Sequence, residues 1–197
     1  MNESGILSDV RLTPYLQAIV DDLSKRFGPT FKRLFNIDAT DANTGTFTHF
    51  TDKSITWDEL VEASVASSSI PGVFPTTLWK GKVYYDGGVI WTADLSSGVQ
   101  RCRELVDSDS KITVDIMITH PHKKSRFEHL HNSIGNILRF HNIKALENSL
   151  GGVLKFMKAF PEVNFRHFAV PSSNIEPGPS RLDFNDRLTH KTEDVGK

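Results

Sequence analysis

The sequence predicts an α/β protein, and three observations carry that reading. Apolar residues recur at helical spacing from Leu12 to Leu23. Ile112, Val114, Ile116 and Ile118 recur at every second position, the period of a strand. Strand-like and helix-like segments interleave along the rest of the chain, the pattern of α/β architectures. Composition agrees: 38% hydrophobic and 24% charged residues over 197 positions suit one globular domain with a real core.

The elements follow in order. Leu12, Tyr15, Leu16, Ile19, Val20 and Leu23 form one helical face, with Pro14 tolerated in the first turn and Gly28 as a stop. Residues 33–40 and 46–50 read as two strands joined by the turn Asp41-Ala42-Asn43-Thr44-Gly45. Thr56-Trp57-Asp58-Glu59 is a capping box opening a helix to about Ser68, which Ile70-Pro71 ends. Residues 82–85 form a short strand, 95–105 a helix and 112–118 a strand. An amphipathic region over 127–160 predicts two helices broken near Gly151-Gly152, and 165–170 a last strand. Pro171 to Pro179 reads as a loop, and residues 185–197 as a polar tail.

Charge and cysteine content narrow the function classes. A formal net charge of -1 gives no basic field to hold nucleic acid. The single cysteine, Cys102, cannot form an internal disulfide, which fits a reducing compartment; its helical surroundings predict a buried, inert thiol. Met1 to Gly5 lacks the basic start and apolar run of a signal peptide, so an intracellular, cytoplasmic or membrane-peripheral location is expected. No apolar stretch reaches the length of a membrane span, so any membrane contact is expected to be peripheral.

Several chemical groups carry bland readings. Ser67, Ser68 and Ser69 have no flanking glycines to allow the tight approach of a nucleophile and read as helix-end serines. His120, His122, His129, His131 and His141 invite a metal reading, but Pro121 interrupts the strand and no cysteine or acidic ligand sits at a usual spacing, so no metal is expected. Lys123-Lys124-Ser125-Arg126 is locally basic and reads as a solvated loop in preference to a headgroup contact.

The segment that points to chemistry is Tyr84-Tyr85-Asp86-Gly87-Gly88. It sets a carboxylate at the end of an apolar strand, followed by two glycines that permit a sharp turn and close approach. Ile37-Asp38-Ala39-Thr40-Asp41 with Thr44-Gly45, the run from Ala63-Ser64 to Phe74-Pro75, Gly81 to Val89, and Leu182-Asp183-Phe184 stand in an order and spacing that resemble the patatin-like phospholipase family, in the C-terminal part of its domain. The resemblance implies a three-layer α/β/α sandwich, with the whole of residues 1–197 forming one partial domain. It implies hydrolysis of a lipid acyl ester by a serine–aspartate dyad with no cofactor. Asp86 matches the dyad aspartate, and Gly87 and Gly88 match the turn that presents it.

Trp79, Trp91 and Phe74 are candidates to line an acyl pocket. The family's nucleophile lies in G-x-S-x-G, and no such pentapeptide occurs in this sequence; the nucleophile-bearing N-terminal part of the pattern is missing. The family's N-x-P after the glycines is replaced by Ile90-Trp91-Thr92-Ala93-Asp94. Three accounts stay open: an incomplete form of a longer acylhydrolase, a degenerate paralogue, or a half-domain completed by another chain. The alternative function is a catalytically inactive module that binds lipid or a protein.

Overall fold

The computed structural model describes residues 5, 8–91, 93–118 and 133–170, with side chains at only some positions of 133–150. The expected loop at 171–179, Leu182-Asp183-Phe184, the tail, and the histidine and lysine–arginine run of 120–131 lie outside the described residues, as does the side chain of His141. The chain divides into two units, Met1–Leu105 and Val106–Lys197, both mixing helix and strand as the sequence predicts. No helix among the described residues is long and apolar enough to cross a membrane.

The first unit is a four-stranded antiparallel sheet with helices. Helix α1 (Leu12–Phe27) ends at Gly28, whose φ of 80° is a backbone conformation open to glycine. Val20 is its buried anchor, packed with Val61 and Val65 of α2 (Trp57–Ser67), while Tyr15 and Ile19 of the expected apolar face are exposed. Phe31 stacks at 4.3 Å on Trp57, whose indole N–H donates to the Gly28 carbonyl at 3.0 Å, tying the two helices' ends. The capping box forms as the sequence predicts: the Glu59 carboxylate accepts the Thr56 amide at 2.9 Å.

Strands β1 (Asn36–Asp41) and β2 (Phe47–Thr51) make the expected hairpin, in which the Asp41 carboxylate accepts the Asn43 amide at 2.9 Å and the Thr44 amide at 3.2 Å. Strands β3 (Thr77–Trp79) and β4 (Lys82–Asp86) make a second hairpin. Both residues of its two-residue connection, Lys80 and Gly81, have positive φ, as a type I′ turn requires. The sheet order is β2-β1-β4-β3. One face, carrying Ala39, Phe50 and Tyr84, buries against Ala63 and Ala66 of α2. Alternation along each strand sends Asp38, Thr40 and His49 to the other face.

Helix α3 (Leu95–Arg103) buries Val99 and leaves Cys102 exposed, which corrects the expectation of a buried thiol. Arg101, beside it, is the side chain turned inward, bonded to Asp52 and Glu104. An ion pair on the helix's inner side therefore takes the place the thiol was assigned.

The second unit is a β-α-β arrangement. Strands β5 (Thr113–Met117) and β6 (Asn164–Ala169) pair in parallel, and helix α4 (Ser133–Ala159) lies between them in sequence. Ile112, Ile116 and Ile118 are buried on alternate positions, as the period of two predicts, with Val153, Phe156 and Val163. Helix α4 runs unbroken through Gly151-Gly152, against the expected break. Buried Val153 and Phe156 anchor the turn beyond the glycines and offset their propensity cost of about 1 kcal/mol each.

Candidate functional site

Three contacts fix the backbone at the end of β4. Asp86 pairs with Ala39 across the sheet. Its amide donates to the Ser69 carbonyl at 2.9 Å, just past the end of α2. Its carbonyl accepts the Thr40 hydroxyl at 3.1 Å. The chain then turns through a single 3-10 turn, Gly87–Val89, of which Asp86 is the cap: its Oδ1 accepts the Gly88 amide at 2.5 Å. The carboxyl is half-buried, and burial raises its pKa above the ordinary 3.8, with the Gly88 N–H opposing.

The two glycines are required for different contacts. A Cβ on Gly87 would sit 2.6 Å from the Asp38 carbonyl oxygen, so the bend passes β1 too closely for any side chain. A Cβ on Gly88 would sit 2.9 Å from Asp86 Oδ1, crowding the carboxylate's own hydrogen bond. Neither has positive φ, so close approach and not a left-handed turn selects glycine here.

Of the three pocket candidates, one stands at the far end of β4 from the bend. Trp91 is exposed, and its amide donates to the Gly87 carbonyl at 3.1 Å, beside the bend. Phe74 is half-buried, its backbone against Gly5. Trp79 pairs with Lys82, at the opposite end of β4 from Asp86 and about 13 Å away at strand rise. It is partly buried against the core, beside Phe50 at 4.8 Å. Ser69 is buried, its hydroxyl donating to the Val65 carbonyl at 3.0 Å and shared with Thr77 at 2.8 Å; it is a structural serine, as its lack of flanking glycines implied. Ser68 donates to the Ser64 carbonyl at 2.8 Å.

A second constellation was not foreseen. Asp38 on β1, His49 on β2 and Asp94, which caps α3, bring one ligand atom each to within 4.8 Å of one another. Asp38 Oδ1 lies 2.7 Å and Asp94 Oδ2 3.7 Å from His49 Nδ1. The Asn36 amide nitrogen donates to Asp38 Oδ1 at 2.6 Å and stands 3.4 Å from the same imidazole nitrogen. Burial, with the nearby Asp94 charge adding, raises the Asp38 pKa, while His49 and Asn36 oppose. Half of this set was legible: the Asp41–Gly45 turn fixes a register that places Asp38 opposite His49. Nothing local in the sequence announces Asp94 as their neighbour.

Residues 1–95 match the family model of patatin-like phospholipase. The match spans both hairpins and the Asp86–Gly88 bend, and it stops short of Leu182-Asp183-Phe184. It points to a family of lipid hydrolases. No match was found among curated proteins.

Proposed function

We propose that this polypeptide carries the aspartate half of a lipid acyl hydrolase, in which Asp86 receives the proton of a serine hydroxyl as that serine attacks a lipid ester. The observation that carries the reading is the carboxyl at the glycine bend, anchored through its backbone to β1 and to the end of α2. A half-buried carboxylate with a raised pKa is a better proton acceptor than a solvated one, and base-assisted activation is what a serine nucleophile needs. The family match over residues 1–95 supports a lipid ester as the substrate class. The serine belongs in G-x-S-x-G, which these 197 residues do not contain, so Asp86 would serve a nucleophile from another segment.

In this reading residues 1–197 are a C-terminal part of a three-layer α/β/α domain. It acts inside the cell, and it meets lipid at a membrane or droplet surface.

The test uses the longest natural polypeptide that contains this chain. Fluorophosphonate labelling of a serine, with ester turnover falling about 10⁴-fold in Asp86→Asn, supports the dyad. Turnover that survives Asp86→Asn refutes it. Tight binding to phosphatidylcholine vesicles with neither labelling nor turnover would instead establish an inactive lipid-binding module.

A further inference from the structure

We propose that Asp38, His49 and Asp94 form a binding site for a single divalent cation, best suited to Zn²⁺, on the sheet face away from α2. The three side chains come from three separate elements and converge on one point, with ligand atoms within 4.8 Å. Two carboxylates and one imidazole nitrogen are donors that a divalent ion can take together, its charge matched by the two carboxylates once bound. Among the described residues neither carboxylate meets a lysine or arginine; Asp38 is bonded to Asn36 and His49, and Asp94 to Ser97, with His49 as the shared partner.

The contrast lies in the second unit. Asp115 also pairs with a histidine, His167 at 3.0 Å, but Arg166 grips both of its oxygens and supplies the cation itself. Among the described residues no such cation stands at Asp38 or Asp94.

The distances suit the ion. One imidazole nitrogen and two carboxylate oxygens are ligands zinc accepts, at about 2.0–2.2 Å each, which puts tetrahedral ligand atoms about 3.4 Å apart. The His49–Asp94 separation of 3.7 Å is already close to that. The His49–Asp38 contact of 2.7 Å opens by under about 1 Å as metal replaces the hydrogen bond. A half-turn of the Asn36 amide would present its oxygen as a fourth ligand in place of the donating nitrogen. The Asp38 carbonyl abuts Gly87, so a filled site would stiffen the strand against which the Asp86 bend rests. The site is structural in this proposal and takes no part in proton transfer, so its failure leaves the role of Asp86 untouched.

Calorimetric titration of the full chain with ZnCl₂ tests it, with Co²⁺ as a spectroscopic substitute. One equivalent should bind, Co²⁺ should show visible absorption bands, and His49→Gln should weaken binding at least tenfold. Because His49 is exposed, that variant should keep its fold, which circular dichroism checks. Asp38→Asn should weaken binding likewise, and His167→Gln should leave it unchanged. Equal binding by His49→Gln and the parent chain, or the absence of a saturable equivalent, overturns the proposal.

Discussion

Replacing Gly87 with alanine tests the geometry on which the bend depends. The added methyl would stand 2.6 Å from the Asp38 oxygen, 3.0 Å from its carbonyl carbon and 3.2 Å from its Cβ. Two of these are backbone atoms of β1, which is hydrogen-bonded to β2 on one side and β4 on the other, with Ala39 fully buried beside them. The strand cannot retreat without breaking a ladder, so the cost falls in the overpacking range of about 1–3 kcal/mol. The smaller entropy of an unfolded alanine offsets about 0.4–1 kcal/mol, and no positive φ adds strain. A net loss of about 1–2 kcal/mol corresponds to a midpoint roughly 4–16 °C lower for a cooperative unit of roughly 100 residues. Thermal unfolding of the full chain followed by circular dichroism reads it. A Gly87→Ala chain that melts together with its parent would show that the close approach to Asp38 is not a constraint.

Other outcomes follow from the same coordinates. Gly98→Ala, in exposed α3 with open space around the new methyl, should stabilise by about 0.5–1 kcal/mol, the opposite sign to Gly87→Ala in the same melting assay. Ser69→Ala strips the hydroxyl that links Val65 to Thr77 in a buried position and should cost about 1–2 kcal/mol in a denaturant titration. Asp115, held at about 2 by Arg166 and His167, contributes stability to its unit above the ordinary 3.8. That contribution should disappear as pH falls from about 4 to about 2, and Arg166→Ala should flatten the loss in acid titration of the melt. Asp86 has the reverse sign: its folded pKa is raised, so stability falls as pH rises from 3.8 through that raised value; Asp38, also raised, acts in the same direction, so Asp86→Asn should reduce the slope without abolishing it.

Elements with a strong local signal were readable before any coordinates. The α2 capping box, the Asp41–Gly45 turn and the alternation through Ile116 each rest on neighbouring residues, and each appears in place. Strand β3 escaped because three residues, Thr77 to Trp79, are too few to show a period; its existence depends on pairing with β4. The α4 break failed because two glycines weaken a helix locally, while packing of Val153 and Phe156 acts over several turns. Cys102 was misplaced because a free cysteine in a helix is usually buried; here Arg101, paired with Asp52, turns inward and Cys102 is exposed. At the site, Asp86 and its glycines were visible as a contiguous motif. The grouping of Asp38, His49 and Asp94 needed strand register and a helix start separated by more than fifty residues.

The bond from the Asp86 amide to the Ser69 carbonyl sets a mechanical linkage. The stretch from Ile70 to Pro75 follows that carbonyl, two residues past the end of α2, so one hydrogen bond joins the start of this loop to the peptide that bears the acid. The carboxylate can pivot about its own side-chain torsions, but its point of attachment is tied both to the loop after α2, through Ser69, and to β1, through Thr40 and Ala39.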